Sequence, residues 1–185
     1  MIRFLSNNDH KIAEVRTILG SFGIDVEPLR AKVSEIQTVD MQVIARDKCL
    51  RAYDIAGRPV LVEHTGLRLD GLKGLPGGLT QVFWDTLEAD TFSKLFGVGE
   101  ATGVVAETVV AFCDGRTIAT FDGAIRGTIA SSPRGSRDFQ WDCVFVPEGS
   151  EQTFAEMGDK KNSISMRKVA LEKFAKAHVA LRKDR

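Results

Sequence analysis

Along the first half of the chain, short apolar runs alternate with stretches whose apolar residues return every three or four positions. Ile2 to Leu5 gives way to the polar Ser6-Asn7-Asn8-Asp9, after which Ile12, Val15, Ile18, Leu19 and Phe22 recur at helical spacing. The pattern predicts strand, loop and helix, with Asp9 as N-cap and Gly20 or Gly23 as the stop. A second short strand is expected near Ile24 to Leu29, followed by a polar loop containing Glu35. Met41, Ile44, Ala45, Cys49, Ala52 and Ala56 mark a second amphipathic helix, ended by Gly57 and Pro59. Val60, Leu61 and Val62 then form the continuous run of a strand buried on both faces, expected to deliver Glu63 and His64 at its C-terminal end.

Further on, Leu72 to Gly78 is rich in glycine and proline and predicts a rigid turn, and Leu79 to Phe96 predicts a helix with an interruption. Val104 to Cys113 and Thr117 to Phe121 flank Asp114-Gly115, a hairpin signal, while Ala124 to Ala130 reads as another strand. A loop built on Pro133-Arg134-Gly135 precedes an apolar strand at Cys143 to Val146. Lys161 to Leu181 closes the chain as a helix with Ile164, Val169, Leu171, Phe174 and Leu181 toward its buried face. With no repeat or linker in between, residues 1–185 read as a single α/β domain. The sheet is expected to be mixed and bent, flanked by helices, and folded into two lobes around a cleft.

Composition narrows the function. At 43% hydrophobic residues the chain can bury a core without disulfides or a structural metal. Lys plus Arg and Asp plus Glu are both 25, so no global basic field exists to attract a polynucleotide, and any anionic ligand must be held locally. Cys49, Cys113 and Cys143 are too scattered for a disulfide framework or a C-x-x-C motif, which suits a reducing, cytoplasmic setting. No stretch is long enough to span a bilayer, so no membrane partner is expected.

Three groups of residues could carry chemistry. Ser6, Asn8 and Lys11 stand at a polar strand-to-helix loop, where free backbone N–H groups and a helix N-terminus suit an anion; a capped helix with a solvated lysine has the same pattern. Glu35 and Glu63 are carboxylates at element ends, suited to a hard divalent cation or, equally, to a solvated surface. Phe139, Trp141, Asp142, Lys161, Ser165 and Arg167 combine aromatic faces with polar groups, the mixture that recognises a purine, although the aromatic rings would also serve a core.

Taken together the motifs are specific. Ser6-Asn7-Asn8 with Lys11 and Glu14 resembles the (S/T)-x-N-x-x-K-x-x-E start of the inosine triphosphate pyrophosphatase family, also called XTP/dITP diphosphatases. Glu35-Ile36-Gln37 resembles its E-x-Q loop, and Glu63-His64-Thr65-Gly66-Leu67 with Gly74-Leu75-Pro76-Gly77 its acidic pair, T/S-G-L and G-x-P-G segments. Pro133-Arg134-Gly135, Phe139-x-Trp141-Asp142, Thr153-Phe154-Ala155-Glu156-Met157 and Lys161-Asn162-x-Ile164-Ser165-x-Arg167 follow in family order.

The resemblance implies a two-lobed α/β fold around a nucleotide-binding cleft, a homodimer, and a magnesium-dependent cut of nucleoside triphosphates into monophosphate and pyrophosphate, with manganese as an alternative metal. It implies that Asn8 and Lys11 bind the triphosphate, that Glu35 and Glu63 organise the metal, that Phe139, Trp141, Asp142, Lys161, Ser165 and Arg167 hold the base, and that Ser6, Thr65 and Met166 also line the substrate site. His64 stands where the family has an aspartate; imidazole can accept a proton but cannot give magnesium a negative oxygen, so Lys11, Glu63 and His64 are the expected catalytic set, with His64 as base. Met166 replaces a histidine beside the purine and Gln140 a glycine, which leaves base choice open. A nucleotide-binding sensor that no longer hydrolyses is the rival reading.

Overall fold

A computed structural model describes residues 1–183. Its elements follow the chain as β1 (Ile2–Leu5), α1 (Asp9–Gly20), β2 (Val26–Leu29), α2 (Met41–Ala56), β3 (Val60–Leu69), β4 (Pro76–Gly77), α3 (Thr80–Phe96), β5 (Gly103–Cys113), β6 (Ile118–Ile129), β7 (Phe145–Pro147), α4 (Phe154–Met157) and α5 (Met166–Lys183), with 3-10 turns at Asp70–Leu72, Gln140–Cys143 and Gly158–Ser163. All strands join one open, mixed sheet in the order β2-β1-β3-β5-β6-β7, with β4 also on β3.

The expected mixed α/β architecture is present, and the differences from the sequence reading have local causes. Helix α1 is capped by Asn8, not Asp9: Asn8 keeps extended backbone angles, and its side chain accepts the Lys11 N–H. Helix α2 ends as expected on Gly57 in the left-handed region, and α3 is interrupted at Glu88, whose φ of 55° breaks the helical path. The Asp114-Gly115 hairpin forms, but Ala124 to Ala130 is no separate strand, because β6 pairs with β5 without a break from Ile118 to Thr128. Helix α5 begins at Met166 and not Lys161, since Gly158–Ser163 winds as a 3-10 turn. Ile164, Val169 and Leu181 are exposed, while Leu171 and Phe174 are buried as expected.

The strand expected to end at Glu63 continues to Leu69. It pairs in parallel with β1 only at Val60 and Leu61, and antiparallel with β4 only at Leu67 and Arg68, both along one edge. Its other edge pairs with β5 over its whole length. The stretch Val62 to Gly66 therefore has its backbone held by β5 on one side, in a gap between two different partners on the other. Glu63, His64 and Thr65 sit in this gap.

Three cores surround the sheet. Ile12, Val15 and Leu19 of α1 and Leu171 and Phe174 of α5 pack with Leu61 and Val110 on one face. Met41, Ala45 and Cys49 of α2 pack with Val60, Val62 and Val109 on the other. Beyond the gap, Leu67, Leu69, Val104, Ala106 and Ile129 meet Phe92, Trp141, Phe145, Phe154 and Met166 in a second lobe. Strands β3, β5 and β6 run from one lobe into the other.

Candidate active site

Successive side chains of a strand point to opposite faces. On β3 this sends Leu61, Glu63 and Thr65 toward α1 and α5, and Val62 and His64 toward the side where α2 packs. Glu63 is buried, where an isolated carboxylate would not stay charged. It is met by Arg167 from the first turn of α5, with Nε donating to Oε2 at 2.6 Å and Nη2 to Oε1 at 3.2 Å. Lys11 Nζ lies 3.0 Å from Oε1. Burial opposes the charge, and Arg167 and Lys11 overcome it, holding the Glu63 carboxyl well below the usual range. Arg167 spends its remaining arm on Glu14, Nη1 to Oε2 at 2.5 Å, and Ser165 Oγ donates to Glu14 Oε1 at 3.3 Å.

The neighbouring residue points elsewhere. His64 Nε2 donates to the Gly78 carbonyl at 3.1 Å, which leaves Nδ1 facing Glu35 Oε2 at 3.6 Å. Lys48 of α2 reaches the other oxygen of Glu35 at 2.6 Å. The His64 contact holds the Glu35 carboxyl down at about 2 against partial burial, with Lys48 adding to the effect. A loop with no regular structure of its own is thus fixed from two elements, and Glu35 is ionised at any ordinary pH.

These groups meet at two adjoining cavities. One, of about 630 Å3, is lined by Ser6, Asn8, Lys11, Lys32, Glu35, Lys48 and Glu63. It lies at the start of α1, where the Ser6 Oγ accepts from the Asn8 N–H at 3.1 Å and first-turn amides present positive ends. The other, of about 780 Å3, is lined by Asn8, Asp138, Phe139, Asp142, Lys161 and Asn162 together with α1 and α5 side chains. Lys161 is salt-bridged to Asp142 and stands 4.1 Å above the Phe139 ring. Burial raises the Asp142 carboxyl above its usual range, with Lys161 working against the rise.

The expected base-holding set comes together, but around little free space. Phe139, Trp141, Asp142, Lys161, Ser165, Met166 and Arg167, with Thr65, border a third cavity of only about 10 Å3. Trp141 and Met166 are core residues of the second lobe, and Thr65 Oγ1 pairs with Thr108 Oγ1 at 2.8 Å. His64 borders none of the three cavities and reaches the first through Glu35. Lys48 had no place in the sequence reading, and Glu14 entered it as a member of the opening motif without a role; one turn after Lys11 on the apolar side of α1, it carried a signal, since a carboxylate there needs a buried cation. The cysteines do not enter the site: all three are buried, and burial pushes the Cys49 thiol up to about 12, far from a nucleophilic thiolate.

The donor set also bears on metal. Glu35 and Glu63 both line the first cavity as ionised carboxylates, oxygen donors of the kind magnesium takes when phosphates and waters complete its shell, and in this structure Arg167 and Lys11 occupy both Glu63 oxygens. Among the described residues no group of three or more His, Cys, Asp or Glu encloses a metal position by itself. No helix among them is long and apolar enough to cross a membrane.

The fold and the site define an α/β domain whose sheet opens at a gap between two lobes, with lysines and a helix start on one side and an aromatic-polar cavity on the other. More particularly, the chain belongs to the Ham1 family, whose model matches residues 2–177. It is 37% identical over 175 residues to a dITP/XTP pyrophosphatase of Saccharolobus solfataricus, covering 94% of this chain and 91% of that one. It is 40% identical over 175 residues to an inosine triphosphate pyrophosphatase of Emericella nidulans, covering 93% of each. The fold matches a HAM1 protein from Coxiella burnetii with a TM-score of 0.81 at 22% identity, over 97% of this chain and 98% of that one.

Proposed function

We propose that this protein is a nucleoside triphosphate pyrophosphatase acting on non-standard purine nucleotides, releasing monophosphate and pyrophosphate. The observation that carries the reading is the convergence of Lys11, Glu35 and Glu63 on one cavity that adjoins, at Phe139, a second cavity with ample room for a nucleoside. The relatives named dITP/XTP pyrophosphatase and inosine triphosphate pyrophosphatase support the same reaction.

In this reading the triphosphate lies along the first cavity, its charge met by Lys11, by the start of α1 near Ser6 and Asn8, and by Lys32 and Lys48. Glu35 and Glu63 are the residues that would hold a magnesium ion, or manganese, and an ion bound there would supply a Lewis acid. Water attacks the α-phosphorus, the bond to the bridging oxygen breaks, and pyrophosphate leaves. His64 is the base in this reading: with its Nδ1, the nitrogen that faces Glu35, free of a proton, it takes the one the water gives up. Lys11 offsets charge that develops on the phosphate oxygens. The base enters beside Phe139, with Asp142 and Lys161 reading its edge, and Trp141, Ser165, Met166 and Arg167 forming the wall behind.

A homodimer in the cytoplasm is part of the proposal, with the exposed Val43 and Leu50 of α2 among the apolar residues that a second copy would cover. Incubating the protein with standard and deaminated ribo- and deoxyribonucleoside triphosphates, with magnesium or manganese, and separating the products tests the reaction. Monophosphate with pyrophosphate supports it. Tight binding without products under either metal would instead support a nucleotide sensor.

A further inference from the structure

Among the described residues, Phe139 alone borders all three cavities of the cleft. Its ring therefore stands where the phosphate space, the nucleoside space and the closed pocket behind them meet. The pocket behind it, about 10 Å3, has room for a single water, so no heterocycle enters unless Phe139 or the Lys161 amine above it moves.

The segment carrying Phe139 is tied to α3 at two points. Arg137 forks onto Asp90 at 2.7 and 2.9 Å. Gln140 Nε2 donates to Gln81 Oε1 at 2.5 Å, and Gln81 Nε2 donates in turn to Asp85 at 2.6 Å. Gln140 also has a φ of 43°, the left-handed region that favours glycine. A residue with a side chain holds such a conformation where its surroundings fix it: here the Cys143 thiol donates to the Gln140 carbonyl at 3.9 Å, the Asp142 N–H donates to the Phe139 carbonyl at 3.1 Å, and the side-chain hydrogen bond to Gln81 ties the residue to α3. The strained residue is the one directly after Phe139, so its backbone angles aim the ring.

We propose that Gln140 is a positioning residue: with Gln81 it forms a latch that fixes the Phe139 ring at the cavity junction and thereby sets affinity for the nucleoside part of the substrate. This deepens the pyrophosphatase reading above and rests on it. The latch acts on where the ring stands and not on the reacting phosphates.

Two readouts test it on the intact protein, with Gln81→Ala, Gln140→Ala and the double variant. Without nucleotide, trypsin cleavage after Arg137 is followed by mass spectrometry, alongside the melting temperature. Each single variant should speed that cleavage about tenfold at an unchanged melting temperature, the effect of losing one hydrogen bond, with the double variant no faster than either. With the best nucleotide, Gln81→Ala should raise KM about tenfold and leave kcat within about twofold, since the loss is of binding. Gln81→Lys combined with Gln140→Glu should restore both readouts. Wild-type cleavage rates in the single variants, or additive effects in the double, overturn the latch. If the unaltered protein binds and cleaves no nucleoside triphosphate, the reading it rests on falls and the substrate role with it, while the cleavage rates still report whether Gln81 holds the segment.

Discussion

Arg167 and Glu63 stand 104 residues apart in the chain, yet the guanidinium meets both carboxylate oxygens, at 2.6 and 3.2 Å. The pair joins the first turn of α5 to the open stretch of β3, and Glu14 brings α1 into the same knot. Because all three groups are buried, removing one leaves charge in a medium that cannot solvate it.

Replacing Arg167 by Met should therefore destabilise the fold by about 3–5 kcal/mol, the usual cost of breaking a buried pair from one side. Arg167→Lys should recover little, because an ammonium cannot fork across Glu63 and also reach Glu14. Urea unfolding at neutral pH checks both. A loss under about 1 kcal/mol for either would mean that the knot relaxes around the gap.

Lys11 is different, since Glu63 keeps Arg167 when Lys11 is gone. Lys11→Ala should fold normally and lose activity by roughly 100- to 1,000-fold, the effect of removing one preorganised charge from a phosphoryl site. Pyrophosphate release with saturating substrate measures it; near-normal turnover would remove Lys11 from the chemistry.

The Glu35 carboxyl, held at about 2 by His64 and Lys48, gives a pH prediction. A depressed carboxyl stabilises the fold fully above its ordinary value of 4.5 and loses that contribution as pH falls toward 2. The stability advantage of the unaltered protein over Glu35→Gln should thus be constant from neutrality to about pH 5 and shrink below it. In His64→Asn the Glu35 carboxyl should titrate nearer its ordinary value, which carbon-detected NMR can follow.

Gly66 tests the geometry of the gap. A Cβ there would lie 2.4 Å from the Gly77 carbonyl oxygen and 3.0 Å from Thr80 Oγ1, where β3 and β4 press together. Gly66→Ala should cost about 1–3 kcal/mol by overpacking against backbone that cannot turn aside. Thermal unfolding checks the loss.

Local signals made much of this legible from the sequence. The apolar spacing from Met41 with Gly57 behind it gave α2 nearly to the residue, and Asp114-Gly115 gave the central hairpin. What failed was set by distant partners. Nothing near Glu63 says that β3 continues to Leu69, because its continuation depends on β5, some forty positions away. The 3-10 turn at Gly158–Ser163 displaced the start of α5 and left Ile164 exposed, an outcome that helical periodicity alone does not separate from a longer helix. In the site, motif order brought Lys11, Glu35 and Glu63 to one cavity. The opposite facing of Glu63 and His64 follows from strand alternation once the strand is known to run past them.

Strands β3, β5 and β6 pass unbroken from the core of one lobe into the core of the other. In mechanical terms they are a beam, not a hinge: closing the lobes on one another would bend three hydrogen-bonded strands at once, far stiffer than swivelling a loop. Such a frame fixes the distance between the two halves of the cleft in advance. Among the described residues, a ligand is then measured against a stiff gauge, with the short segments and side chains on its rim as the jaws that adjust.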